Sequence, residues 1–351
     1  MIIIGCDFHT RYQEIAWLDT DTGEIHERRL EHTGDETRKF YAAFSGPVRV
    51  GIEATGYSQW FERMLRELGH EYWIGDAGAI RASVVRKQKT DRRDAAHILD
   101  LLMTNRFPRI WVPTPAERDL RQLVLHRVKL VQLRTKVQNQ LQALALGQGV
   151  CRKKKLWSVR GRAELESLPL DRWAQRRRQE LLQLLDQLEG SIGQLHTAVE
   201  QQARQHPEAV LLMTHPGVGP VTSLAFVLTI GPVSRFARSK KVSSYLGLNP
   251  GEHSSGGHQQ MGPISKQGNS MMRWLLVEAG QTAARRDPVL GRMYQRLKFR
   301  RGSAIAKVAV ARKLAVRLYW MLRSQCDYAA LVRMSGSSSS AVVPEVSGSG
   351  R

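Results

Sequence analysis

Two apolar, β-branched runs constrain this chain most. IIIGCDF (2–8) and VRVGIEA (48–54) have the composition of buried strands, and each carries a carboxylate at its end, Asp7 in one and Glu53 in the other. QEIAWL (13–18) and IHERRLEH (25–32) read as two more strands, with TDTGE (20–24) as the turn between them, so the first three strands form an antiparallel meander. EYWIGD (71–76) adds another strand. YSQWFERMLRELGH (57–70) is an amphipathic helix closed by Gly69. RRDAAHILDLLMTN (92–105) is a helix with apolar spacing at Ala95, Ile98, Leu99 and Leu102. A meander followed by alternating strand and helix predicts a mixed α/β sheet over residues 1–112.

From Pro115 the texture changes. Residues 116–146 predict one long helix, and 151–178 a basic connector. In 179–204, Leu181, Leu185, Leu188, Ile192, Leu195 and Val199 follow the steps of a heptad seam. Two outcomes stay open for that seam: helix packing inside one chain, or a coiled coil between two copies. Residues 113–205 are therefore assigned as a helical, coiled-coil region and 206–332 as a mostly helical C-terminal domain. Residues 333–351, rich in Ser and Gly, read as a disordered tail.

Charge separates the two parts. Residues 1–110 hold 16 Lys and Arg against 17 Asp and Glu, while 111–351 hold 37 against 15, a net of +22. A surplus of that size selects polyanionic partners, nucleic acid first. Arg300, Arg301, Lys307, Arg312, Lys313 and Arg317 are placed on a surface that tracks a phosphate backbone. Trp274, Tyr294, Phe299, Tyr319 and Trp320 are expected in the core rather than against bases. The three cysteines are far apart and form no CxxC pair, so neither a zinc site nor a disulfide framework is indicated. With no signal peptide and no apolar run long enough to span a bilayer, a cytoplasmic protein without membrane contact is expected.

QKTDRRDA (88–95) places Asp91 and Asp94 three residues apart at a helix start, where both can face one site. Asp91 as helix cap and Asp94 as first-turn acid is the alternative. Joined by Asp7 and Glu53 at strand ends, the four could hold two divalent cations, with Mg²⁺ suited to oxygen ligands and phosphate substrates. The flanking Lys87, Lys89, Arg92 and Arg93 would then either meet phosphates or screen the carboxylate cluster. In LLMTHPGVGPVTSLAFVLTI (211–230), the glycine turn is either a phosphate-binding helix hairpin, through Gly217 and Gly219, or a plain helix–helix turn. YLGLNPGEHSSGGHQQMGPISKQG (245–268) reads as a polar loop holding Ser254, Ser255 and Lys266.

GCDFH, GIEATG, KTDRRDA, PGVGPVTS, YLGLNPGEHSSGG and GPISKQGNSMMRWLL occur in this order across nearly the whole chain. Together they resemble the DEDD transposases of insertion-sequence family 110, including its eleven-eleven subgroup. The resemblance implies an N-terminal ribonuclease-H-like (RuvC-like) domain, a coiled-coil middle and an α-helical C-terminal transposase domain. It implies Mg²⁺ held by Asp7, Glu53, Asp91 and Asp94, and a serine nucleophile at Ser255, with Ser254 as the neighbouring alternative. It also implies DNA as substrate, a structured guide RNA, and a dimer or tetramer with a composite active site. Two competing readings remain: a metal-dependent nuclease or junction resolvase without serine chemistry, and a non-enzymatic nucleic-acid-binding protein.

Overall fold

The computed structural model describes residues 1–84, 90–252 and 260–337. The chain divides into two compact units, Met1–Val112 and a second beginning at Pro113.

The first unit is built on a five-stranded sheet of β1 (Ile2–Phe8), β2 (Tyr12–Asp19), β3 (Ile25–Glu31), β4 (Val48–Glu53) and β5 (Glu71–Gly75), in the order β3-β2-β1-β4-β5. β1–β2 and β2–β3 pair antiparallel, and β1–β4 and β4–β5 pair parallel. This is the mixed sheet that the strand runs predict. Alternation along β1 divides its residues between two faces. Ile4, Cys6 and Phe8 join Val50, Ile52, Tyr41, Phe61 and Leu65 in one core. Tyr41 and Phe61 come from α1 (Glu36–Ala42) and α2 (Gln59–Glu67), which cover that face.

The opposite face carries α3 (Ala77–Ala82) and α4 (Asp91–Met103). Ala95 and Leu99 of α4 pack with Ala16, Ile3 and Leu18, while Ile98, Leu101 and Leu102 join Ile80 and Phe107. Two glycines let α4 come close. A Cβ on Gly5 would lie 2.4 Å from the Ala95 carbonyl oxygen and 2.4 Å from the Leu99 nitrogen. Gly51 is its register partner on β4, and a Cβ there would lie 2.7 Å from Leu102 Cδ1. The pair forms a saddle across two parallel strands in which the helix rests.

In the second unit α5 (Pro115–Gly147) is followed by α6 (Val159–Glu166) and α7 (Arg172–Gln205). A capping box between Thr114 and Glu117, with Pro115 at the first position, starts α5 sharply. Leu182, Leu185, Leu188 and Ile192 of α7 are buried with Val137, Leu141 and Ala145 of α5. The heptad seam is thus satisfied within one chain. Each such buried side chain contributes roughly 1.5–3 kcal/mol, so a second copy would have to use another face of α7.

A larger core gathers α8 (Pro207–Met213), α9 (Pro220–Ile230), α10 (Ser239–Tyr245), α11 (Ser270–Arg286) and α12 (Pro288–Ser324), and Tyr328 of α13 (Tyr328–Ser337) packs against it. Three expectations change here. The stretch 245–268 is not wholly loop: β6 (Pro250–Glu252) and β7 (Met261–Ile264) pair antiparallel with a register shift, too short to leave a periodic signal. Phe299 is not core: it is 94% exposed, and Trp320 is 44% exposed. Helix α13 extends past Arg333 into the segment assigned to the tail, and 338–351 lie outside the described residues.

The saddle makes a clear prediction. Gly5→Ala must push α4 off β1 and should lower stability by about 1–3 kcal/mol or more in urea unfolding. Gly46→Ala, where a Cβ meets nothing within 4 Å, should stay within about 0.5 kcal/mol of wild type. Equal midpoints for both variants would contradict the close-approach account.

Candidate active site

Helix α4 begins at Asp91, and its cap is Thr90, whose side chain accepts from the Arg93 backbone N–H. The cap role is therefore filled, and the Asp91 carboxylate turns to other partners. Tyr12, at the start of β2, donates its hydroxyl to Asp91 Oδ2 at 2.8 Å. His9 Nε2 lies 3.4 Å from the same oxygen and 3.1 Å from Asp7 Oδ2. One imidazole thus stands between two carboxylates from different elements. Ligand atoms of Asp7, His9 and Asp91 all lie within 4.8 Å of one another.

Asp7 is on the α4 face of β1, two residues beyond Gly5. The close seat of α4 is what brings its first turn to Asp7. The Asp7 side chain is 14% exposed against 41% for Asp91, so the cost of losing water falls on Asp7. Burial, opposed by His9 and reinforced by the negative charges of Asp94 and Asp91, raises the Asp7 carboxyl from 3.8 to about 6. Asp94 is therefore close enough to act on Asp7 electrostatically.

Glu53 stands outside the three-residue cluster. It ends β4, and because Cys6 pairs with Ile52 in parallel register, Asp7 and Glu53 leave the sheet at the same end. Alternation from Gly51 puts Glu53 on the α4 face as well. Three elements thus deliver four carboxylates to one end of one sheet face. Oxygen ligands with one imidazole fit a hard divalent cation, and such a cation would offset both the burial that raises Asp7 and the repulsion from Asp94 and Asp91 that adds to it.

The other predicted residues fall on several elements or outside the described residues. Lys87, Lys89, Ser254 and Ser255 lie outside the described residues. Arg92 makes an ion pair with Glu27 on β3, and Arg93 is exposed in the first turn of α4. Gly217 has φ +91°, and a Cβ there would lie 2.5 Å from the Ala283 nitrogen, so this turn packs on α11. Gly219 precedes α9 in open space. Lys266, with φ 56°, is exposed between β7 and α11, and Arg300 and Arg301 are exposed on α12.

His9 and Tyr12 were not singled out by sequence reasoning. The available signal was spacing: His9 follows Asp7 by two, and the β1–β2 pairing continues from Phe8–Gln13 to a His9 N–H bond with the Tyr12 carbonyl.

The Asp7 shift gives a signed pH dependence. A carboxyl raised in the folded state makes folding less favourable as pH rises from about 4 to 6, and the cost persists above that range. Without divalent metal, Asp7→Asn should raise the melting temperature at pH 7–8 and leave it nearly unchanged near pH 4, as scanning calorimetry would show. A variant less stable than wild type at pH 8 would refute this electrostatic account.

Known families match both ends of the chain. The family described as "Transposase IS116/IS110/IS902 family" matches residues 209–295, and the DEDD transposase family of IS110, described as "Transposase", matches residues 4–148. The chain is similar to the "Probable family 20 transposase" of Pseudomonas aeruginosa, 28% identical over 338 residues, covering 92% of this chain and 96% of that one. It is 26% identical to the "Transposase for insertion sequence element IS1111A" of Coxiella burnetii over 343 residues, covering 93% and 91%. It is 27% identical to the "Transposase for insertion sequence element IS1328" of Yersinia enterocolitica over 296 residues, covering 81% and 86%.

Proposed function

This chain belongs to the IS116/IS110/IS902 family of transposases, and from that premise we propose that it cleaves and rejoins DNA strands with a metal-bound carboxylate site and a serine nucleophile. The observation that carries the proposal is the convergence of Asp7, His9 and Asp91, with Asp94 and Glu53 at the same end of the sheet face. The mixed sheet with carboxylates at the ends of two parallel strands supports the ribonuclease-H-like, RuvC-like reading.

In this reading Asp7, Glu53, Asp91 and Asp94 hold Mg²⁺, which when bound polarises a phosphodiester and offsets charge on attacking and leaving oxygens. His9 and Tyr12 orient Asp7 and Asp91. Ser255, or Ser254 beside it, forms the bond to phosphorus while a strand oxygen leaves. A phosphoserine ester retains the bond energy that rejoining needs. The serine segment is bracketed by β6 and β7.

The partners in this reading are donor and target DNA, with an element-encoded structured RNA selecting the sites. The net charge of +22 over residues 111–351 supports binding of several polyanions at once. A dimer or tetramer acting on nucleoid DNA in the cytoplasm completes the reading, with carboxylates and serine supplied by different copies. Since the α7 seam is filled by α5, contact between copies uses other surfaces.

Strand transfer in cells tests it, with the element's donor ends, its flanking non-coding sequence and a target plasmid. Asp7→Ala and Ser255→Ala should each lower recombination by roughly 10³-fold or more, and wild type should form a covalent DNA–protein adduct. If Ser255→Ala recombines normally and Ser254→Ala does not, the nucleophile is Ser254. If neither serine matters while Asp7 does, the protein is a metal-dependent nuclease or resolvase, and the serine mechanism is wrong.

A further inference from the structure

Helix α12 breaks at Gly302, whose backbone takes φ 82° and ψ 164°. The break makes an elbow: residues 298–305 are all exposed. Phe299 stands at this elbow with 94% of its surface in solvent. A Phe so exposed contributes almost nothing to folding and carries a cost in contact with water. The other aromatic residues of this region are better covered: Tyr319 is buried, Trp274 and Tyr294 pack against cores, and Trp320 is 44% exposed.

The charge around Phe299 is one-sided. Residues 288–326 contain ten Lys and Arg and no Asp or Glu. Arg292, Arg296, Lys298, Arg300 and Arg301 are exposed on the same segment of α12, and none forms an ion pair among the described residues. An acid-free field repels a second copy of the same surface and attracts closely spaced phosphates. A flat aromatic face among phosphate-binding cations matches the stacking platforms of single-strand binding surfaces. Inside a duplex, bases are already stacked on each other, so the ring can stack only where a base is unpaired.

We propose that the α12 elbow docks unpaired nucleic acid, with Phe299 stacking on a base while Lys298, Arg300 and Arg301 hold the flanking phosphates. The proposal rests on the reading of this chain as a DNA strand-transfer enzyme, and it assigns the place where a strand opened during exchange is held. The occupant is therefore an unpaired DNA strand, and binding confined to RNA is an outcome that counts against the assignment.

Full-length protein would be titrated into labelled single-stranded DNA, single-stranded RNA of the same sequence, and a blunt DNA duplex, with anisotropy as the readout. Phe299→Ala should weaken single-strand binding by roughly ten-fold and leave duplex binding within about two-fold. Phe299→Trp should keep wild-type affinity, because stacking needs a ring rather than Phe itself. The double variant Arg300→Gln/Arg301→Gln should weaken all probes and flatten the salt dependence. A Phe299→Ala loss on single-stranded DNA supports the strand-holding role, and a loss confined to RNA overturns it. The inference is overturned if Phe299→Ala binds both single strands as wild type does, or if it loses duplex binding equally. It is also overturned if Phe299→Ala loses only binding to anionic phosphatidylserine vesicles, which would mark a membrane contact. If wild type binds none of the nucleic acids, the strand-transfer reading falls with it.

Discussion

The N-terminal unit depends on how closely α4 lies against β1 and β4. Gly5 and Gly51 face each other across parallel strands, and their missing side chains leave room for the helix backbone at Ala95 and Leu99 and for the Leu102 side chain. The seat has a chemical consequence. It places the first turn of α4 beside the end of β1, and Asp91 and Asp94 arrive there with it. A helix held a few ångströms further away by ordinary side chains would leave the carboxylates of strand and helix apart.

That convergence carries an electrostatic load. Asp7 is mostly out of water, faces two further carboxylates, and has His9 as its direct counterweight. Tyr12 takes up one oxygen of Asp91, and the Arg29 guanidinium lies 3.6 Å from the centre of the Tyr12 ring. Such an arrangement stores like charges at one point instead of dispersing them, as sites that bind cations do. The second unit has the opposite character: its surplus is positive, and one of its acid-free runs, 288–326, carries an exposed aromatic ring.

Much of this was legible from the residues. The five strands of the main sheet follow from β-branched runs and turn signals, and α5 and α7 from long apolar periodicity, because these patterns are local. Asp7 and Asp91 could be named from their places at element ends. What sequence could not supply was contact. The role of Gly5 depends on a helix some 90 residues away along the chain. The seam of α7 looks the same whether its partner is α5 or another copy, and only the packing distinguishes them. Phe299 was expected in the core as an aromatic side chain, whereas it stands almost wholly in solvent three residues before the break of α12 at Gly302. β6 and β7 are too short for period-two alternation to emerge.

The most direct test of the central claim is diffraction from crystals of the full chain soaked in Mn²⁺, with data collected to reveal the metal's anomalous signal. The account predicts Mn²⁺ coordinated by Asp7 and Asp91, with Glu53 and Asp94 completing the site and the peak lost in Asp7→Asn crystals. A signal absent from Asp7, or a cation held elsewhere with these four carboxylates unliganded, would contradict the claim that α4 is seated on β1 to build a metal site.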